Sequence, residues 1–126
     1  MSQAQNVALI REFYQRLFND ADVAFGLQCL GQPYTQHNAM VADGVEGFAA
    51  FFSGFYQAGN TLQAEIKRVI ADDEMVAVHA HFRGTVFPPQ GIAKVDMFRF
   101  QQGKIVEHWD VAQEVPQQSL NDNSVF

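Results

Sequence analysis

Four segments rich in β-branched and aromatic residues fill the second half of the chain, and short turn-forming stretches separate them. The segments span residues 61–71, 74–87, 91–101 and 104–113, and the turns lie at 72–73, 88–91 and 102–103. Connections this short join antiparallel strands, because a parallel pair needs a crossover of roughly a dozen residues or more. The sequence therefore predicts an antiparallel meander, and this meander limits the fold more than any other feature.

The first half of the chain shows helical periodicity. Polar residues at 19–22 end a first helix and begin a short second helix over 23–30, which stops at the Gly-Gln-Pro of 31–33. Asp43 and Glu46 form a capping-box pattern at the start of a third helix, which ends near Gly59. Apolar residues at three- and four-residue spacing give the first helix one stripe for burial: Val7, Ile10, Phe13, Tyr14, Leu17 and Phe18.

Helices followed by a long meander are typical of the α+β class. We expect a cone: one curved antiparallel sheet of about four to six strands wrapped around about three N-terminal helices. A chain of 126 residues is one domain's worth of sequence, so we expect a single domain over residues 1–126. Such a cone closes on its core at one end and can leave a cavity at the other.

Aromatic content supports the idea of a cavity. Twelve Phe, three Tyr and one Trp make up 13% of the chain. This excess fits either a core of very large side chains or a domain that encloses a ligand.

Charge and cysteine content exclude several classes of partner. The formal net charge is −6, and no run of basic residues is present, so we expect neither nucleic acid nor an anionic membrane as a partner. The single cysteine cannot form an internal disulfide and fits a reducing compartment. The sequence shows no signal-peptide pattern and no long apolar run, and these features together predict a soluble cytoplasmic domain.

Polar side chains interrupt the predicted sheet. Alternation along residues 74–87 places His79, His81 and Arg83 on one face and the apolar residues between them on the other. An odd register across the next turn would place Asp96, Phe98 and Phe100 on the face of His79 and His81. At Gln102-Gly103 we expect a three-residue loop, which pairs Phe100 with Lys104 and Asp96 with His108.

These registers predict a polar row across three strands, formed by His81, Asp96 and His108, with Asp110 one step along on the same face. A slip of one residue would bring Trp109 to that face and turn His108 and Asp110 away. In a pocket lined by Phe, an Asp can remove a proton alpha to a carbonyl, and a His can hold the enolate oxygen. The sequence carries no phosphate-binding loop and no nucleophile elbow, so we expect no cofactor.

Other interpretations of the same residues remain open. The row could be the wet face that an antiparallel sheet usually has. His79, His81 and His108 could instead bind a metal, with Asp96 or Asp110 as a further ligand or an outer partner. A third alternative is a dimeric or ligand-binding module that performs no chemistry.

The order of short motifs resembles SnoaL-like proteins of the nuclear-transport-factor-2-like superfamily, in the branch described as aldol-condensation-catalysing. The resemblance covers nearly the whole chain. The matching stretches are residues 34–38 (YTQHN), 43–48 (DGVEGF), 67–71 (KRVIA), 79–82 (HAHF), 95–99 (VDMFR), 103–110 (GKIVEHWD), 121–123 (NDN) and Phe126.

This resemblance implies a cone, a homodimer through the sheet, and a deep apolar pocket between sheet and helices. Polyketide cyclases of the family close a ring by an intramolecular aldol reaction with an acidic residue and no metal. By resemblance, Asp110 occupies the acid/base position of the last strand, and His37, Asp96 and His108 occupy positions that face the pocket.

The leading hypothesis is a cofactor-free enzyme that acts on a hydrophobic carbonyl compound by enolate formation, with aldol cyclisation or isomerisation. The candidate catalytic residues are Asp110, Asp96, His37, His108 and His81, with either Asp as the base. The candidate substrate-binding residues are Tyr14, Phe52, Phe98 and Trp109.

Overall fold

A computed structural model describes residues 2–126. Helix α1 spans Gln3–Phe13 and continues as a π-helical stretch over Tyr14–Asn19, followed by α2 at Val23–Gln28 and α3 at Gly44–Gln57. The strands are β1 (Leu30–Gln36), β2 (Leu62–Ala71), β3 (Met75–Gly84), β4 (Ile92–Gln101) and β5 (Lys104–Glu114). None of the helices within residues 2–126 is long and apolar enough to span a membrane.

The five strands form one open sheet in the order β1-β5-β4-β3-β2. Strands β2 to β5 are the predicted antiparallel meander, and the predicted α+β class with N-terminal helices against a curved sheet is confirmed. Strand β1 was not predicted, and it pairs in parallel with β5 at the edge of the sheet. Its sequence contains Gly31 and Pro33, and a sheet tolerates Pro on an edge strand because no neighbour needs the missing N–H.

The predicted register between β3 and β4 is wrong. Val78 pairs with Asp96 and Val76 with Phe98, so Asp96 lies on the inner face with the apolar residues of β3. His79 and His81 therefore lie on the outer face, opposite to Asp96. Residues 85–91 form an irregular loop between the strands, and no local signal in such a loop fixes whether the register sum is odd or even.

The turn between β4 and β5 also differs from the prediction, yet the predicted face is correct. Gln101 pairs with Lys104, so the loop has two residues, Gln102 and Gly103, both with positive φ. A β-bulge next to Arg99 then shifts the pairing, and Asp96 comes to lie opposite Asp110 rather than His108. The short loop and the bulge each move the register by one residue, so His108 and Asp110 still share the face of Asp96.

The core lies between the helices and the inner face of the sheet. Of the six residues in the predicted helical stripe, Val7 is half-buried and the other five are buried: Ile10, Phe13, Tyr14, Leu17 and Phe18. The predicted capping box at Asp43 is wrong, since the Asp43 Oδ1 accepts a hydrogen bond from the Gln36 backbone N–H at 2.8 Å instead. This bond ties the start of α3 to the end of β1.

Candidate functional site

A cavity of about 250 Å³ lies between α1, α3 and the inner face of the sheet. Most of its wall is aromatic, with Phe13, Phe18, Phe48, Phe52, Phe82 and Phe98 among the lining residues. Only a few polar side chains reach the surface of the cavity. They are Tyr34 and Gln36 on β1, Asn38 two residues after that strand, Lys94 on β4, and His108 and Asp110 on β5.

Asp96 lies beneath this polar group and has no exposed surface. Its Oδ2 accepts a hydrogen bond from the Tyr14 hydroxyl, and its Oδ1 lies 2.8 Å from His108 Nε2 and 3.3 Å from Lys94 Nζ. Burial alone would raise the pKa of the Asp96 carboxyl, but the Lys94 charge and the His108 and Tyr14 hydrogen bonds hold that pKa at about 2. Asp96 is therefore a buried, ionised carboxylate that is fully occupied by its three partners.

Lys94 bridges the two carboxylates of the site. Its Nζ lies 3.4 Å from Asp110 Oδ2 as well as close to Asp96, and its side chain is 18% exposed. Burial lowers the pKa of the Lys94 ammonium, but the negative charges of Asp96 and Asp110 outweigh that effect and raise it. The ammonium also lies 4.6 Å from the centre of the Phe82 ring, a cation–π distance.

Hydrogen bonds hold both ring nitrogens of His108. The Gln36 side-chain oxygen accepts from the Asn38 backbone N–H at 3.0 Å, so the same oxygen faces His108 Nδ1 at 2.7 Å and requires a donor there. The other ring nitrogen, Nε2, faces the ionised Asp96. Both ring nitrogens of His108 are therefore occupied by groups of the protein, which fixes the orientation of the ring.

Asp110 is the carboxylate that lines the cavity. Asn38 Nδ2 donates to both of its oxygens, at 2.9 Å to Oδ2 and 3.1 Å to Oδ1. Lys94 and His108 both approach Oδ2, His108 Nε2 at 3.8 Å. Oδ1 therefore has one partner and keeps a lone pair that can accept a proton from a molecule in the cavity.

The structure brings together some of the predicted site residues and separates others. His108, Asp110, Phe52 and Phe98 line the cavity, while Asp96 and Tyr14 lie directly behind its surface. The predicted row is correct for the contact between Asp96 and His108. It is wrong for His81, because the register places His81 on the opposite face of the sheet.

His37 and Trp109 also lie outside the cavity. Their rings stack on the outer face of the sheet with centres 4.8 Å apart, and His37 Nε2 lies 2.7 Å from Glu107 Oε2. The alternation of an extended chain is the reason, because Gln36 and Asn38 point inward and the residue between them points outward. Trp109 points outward because side chains alternate along β5 and its two neighbours, His108 and Asp110, point inward.

The metal set His79, His81 and His108 is not brought together, since the first two histidines face away from the third. Asp96, His108 and Asp110 do offer ligand atoms within 4.8 Å of one another. Lys94, however, holds its ammonium between the two carboxylates, where it supplies the positive charge that a bridging metal ion would supply.

Sequence reasoning missed Lys94, Gln36 and Asn38. Lys94 carried a usable signal, because it lies two residues before Asp96 on the same face of a mostly apolar strand. Gln36 and Asn38 belong to the YTQHN stretch, but no local pattern indicates that they contact side chains of β5.

A family profile described as SnoaL-like polyketide cyclase matches residues 8–119. Among solved structures, TsrD from Streptomyces laurentii is 20% identical with a TM-score of 0.72, and the match covers 89% of this chain and 90% of TsrD. An LEH-like epoxide hydrolase from M. tuberculosis is 16% identical with a TM-score of 0.74 (coverage 88% and 84%). A proposed ketosteroid isomerase from Kribbella flavida is 16% identical with a TM-score of 0.76 (coverage 94% and 85%). A search of curated proteins gave no significant match.

Proposed function

Because the chain belongs to the SnoaL-like polyketide cyclase family, we propose that it is an enzyme that forms an enolate from a hydrophobic carbonyl compound bound in the cavity. Asp110 is the base in this proposal. The observation that carries it is the pairing, in one apolar cavity, of a carboxylate that has a free lone pair with the Lys94 ammonium.

The proposed reaction begins with proton transfer. Asp110 Oδ1 takes a proton from the carbon alpha to the carbonyl, and the electron pair of that C–H bond moves into the enolate. The negative charge that develops on the carbonyl oxygen is stabilised by the Lys94 ammonium, which has three N–H donors and faces two carboxylates, since donors are most effective in a site with little water. In a cyclisation, the enolate carbon attacks a second carbonyl of the same molecule, and Asp110 gives its proton to the alkoxide that forms. In an isomerisation, Asp110 gives its proton to a different carbon of the conjugated enolate.

Asp96 has a supporting role in this proposal and does not act as the base. It lies behind the cavity surface, and a carboxyl with a pKa of about 2 is a weak base. Its charge raises the pKa of the Lys94 ammonium, and its Oδ1 fixes the orientation of the His108 ring. Of the two aspartates named from the sequence, Asp110 is the one with access to a ligand.

The cavity size and lining favour a compact, neutral substrate. Its volume of about 250 Å³ lies just below the range of roughly 300–1,000 Å³ that is usual for drug-sized ligands. Lys94, the one lysine or arginine that lines the cavity within residues 2–126, already faces two carboxylates. A ligand that carries a full negative charge before it reacts would therefore have to share Lys94 with both of them.

Deuterium exchange at an activated carbon tests the proposal directly. We would incubate 2-tetralone, a neutral bicyclic ketone, with the protein in D2O and follow loss of the α-proton signal by NMR. The wild type should exchange faster than buffer, and Asp110→Asn should lose about 100-fold or more of that rate. Asp73→Asn, a change at an exposed aspartate remote from the cavity, is the matched control and should keep it.

The result also separates the enzyme from a binding module. If 2-tetralone stabilises the protein against heat but exchanges no faster than in buffer, the cavity binds without chemistry. If Asp110→Asn exchanges at the wild-type rate, Asp110 is not the base, and the proposal fails in its central step.

Two further expectations belong to the same proposal. We propose that the chain forms a homodimer through the outer face of the sheet, where Ile70 and Val111 are 71% and 66% exposed. We also propose that the protein works in the cytoplasm, because its one cysteine, Cys29, is a buried thiol without a disulfide partner.

A further inference from the structure

The β3–β4 loop lines the cavity and also contacts a side chain on the outer face of the sheet. The β3–β4 loop, residues 85–91, contributes Val86 and Phe87 to the cavity wall. Phe87 packs against the buried core, whereas Val86 is 55% exposed and lies at the opening. The position of this loop therefore shapes the route by which a ligand enters.

Phe126 is docked on the outer face of the sheet. Its ring stacks on His81 with ring centres 4.4 Å apart, and it lies 5.8 Å from the ring of His79. Arg68 Nη2 donates to the Phe126 carbonyl oxygen at 2.9 Å, and Lys67 Nζ lies 5.2 Å from the ring centre. Residues 116–124 are exposed, whereas Val125 and Phe126 are half-buried.

His81 joins Phe126 to the entrance loop. Its Nε2 lies 2.7 Å from the Gln90 carbonyl oxygen, which can only accept, so Nε2 donates. The loop closes tightly over this ring: at Gly91, which has φ +77°, a Cβ would lie 2.9 Å from His81 Nε2 and 2.3 Å from the Phe82 carbonyl oxygen. Only glycine fits so close an approach at this φ.

Val115, the residue that follows β5, also contacts this loop. The Val115 N–H donates to the Gly91 carbonyl oxygen at 3.1 Å. The entrance loop is thus held at Gly91 by the end of β5 and at Gln90 by His81.

From these contacts we infer that Phe126, acting through His81, is a positioning residue for the cavity entrance and raises the affinity of the cavity for its ligand. Stacking against Phe126 holds the His81 ring in the orientation that donates to Gln90. Without Phe126, His81 gains rotamers and water competes for the Gln90 oxygen, so the loop must be ordered when a ligand binds. The inference rests on the cavity being the ligand site but not on the proposed proton transfer.

The test uses the full chain and the neutral fluorescent probe N-phenyl-1-naphthylamine. Phe126→Ala should weaken binding of the probe about two- to tenfold, as expected for loss of one stacked aromatic contact. Amide hydrogen exchange in residues 85–91 should become faster in this variant, while exchange in the centre of β3 and β4 should not change. Phe126→Tyr keeps the stacking and should restore both values.

Two other variants separate the steps of the inference. His81→Phe keeps an aromatic ring under Phe126 but removes the donor to Gln90, so it should loosen the loop and weaken the probe as Phe126→Ala does. Leu120→Ala changes a fully exposed residue of the same segment and should have no effect.

The inference is overturned if Phe126→Ala binds the probe with wild-type affinity, or if exchange in residues 85–91 is unchanged. It is also overturned if exchange becomes faster throughout the sheet, because Phe126 then acts on global stability rather than on the entrance. None of these outcomes depends on deuterium exchange into 2-tetralone, so failure here is distinct from failure of the proposed function.

Discussion

The buried charge of Asp96 makes a specific prediction about stability and pH. The carboxyl has no exposed surface, and its pKa lies at about 2, below its usual value of 3.8. A carboxyl with a lowered folded-state pKa stabilises the fold above its unfolded-state pKa, and this contribution is lost as pH falls through the folded-state pKa. The contribution of Asp96 should therefore be complete above about pH 4 and disappear toward pH 2.

The variant Asp96→Asn measures this contribution. At neutral pH, we expect it to lower the free energy of unfolding by about 2 to 3 kcal/mol, because the variant loses the charge that Lys94 and His108 face. In urea unfolding at a series of pH values, the gap between wild type and variant should narrow between about pH 4 and pH 2. Asp73→Asn should unfold like the wild type throughout. A gap that stays constant with pH would mean that the ionised carboxylate is not what stabilises the site.

At the scale of single elements, the start of α3 depends on a residue without a side chain. A Cβ at Gly47 would lie 1.8 Å from the Ala42 carbonyl oxygen, so the helix packs directly on the backbone of the preceding loop. That loop also carries Asn38, which holds Asp110. Gly47, the second glycine of the DGVEGF stretch, is thus required by a contact that positions one wall of the site.

Two glycines in the same helix provide a matched comparison. Gly47→Ala should lower the free energy of unfolding by about 1 to 3 kcal/mol, as overpacking usually does. Gly54→Ala places its Cβ in open space and should be neutral or stabilise the helix by up to about 1 kcal/mol. The free energy of unfolding of both variants is measured in urea. Equal values would show that the close contact between Gly47 and Ala42 does not restrict the side chain at position 47.

Strand positions could be predicted from the sequence more reliably than strand registers. Alternation and turn residues located β2 to β5 within a few residues, because these signals are local. The face of Asp96 relative to His81 depends on the pairing across the irregular 85–91 loop, which no local pattern determines. His108 and Asp110 were assigned to the correct face through two compensating differences, a shorter loop and a bulge.

At the scale of the whole molecule, the aromatic excess has two structural roles. Phe13, Phe18 and Phe82 are buried and also line the cavity, so one set of side chains forms both the core and the cavity wall. Composition suggested that either a large core or a domain that encloses a ligand would explain the excess, and the structure contains both a large aromatic core and a cavity. The polar side of the cavity was harder to predict, because Gln36, Asn38 and Lys94 meet only after β1 pairs with β5.

The outer face of the sheet is the surface through which we expect two copies to associate. Ile70 near the end of β2 and Val111 within β5 lie on this face, and both apolar side chains are mostly exposed. Val111→Lys would place a charge in the centre of such an interface, and desolvating that charge without a partner is costly. We expect the wild type to sediment as a dimer and Val111→Lys to shift it to the monomer at micromolar concentrations.

A second lysine variant separates an interface effect from a general effect of charge. Met40 is 84% exposed but lies in the loop before α3 and belongs to no strand of the sheet. Met40→Lys should therefore sediment like the wild type, and both variants should keep the wild-type thermal midpoint measured at the lowest concentration. If the wild type is a monomer, or if Met40→Lys dissociates the dimer as readily as Val111→Lys, the sheet face is not the interface. Dissociation by Val111→Lys alone would identify the outer face of β5 as the surface that joins the two copies.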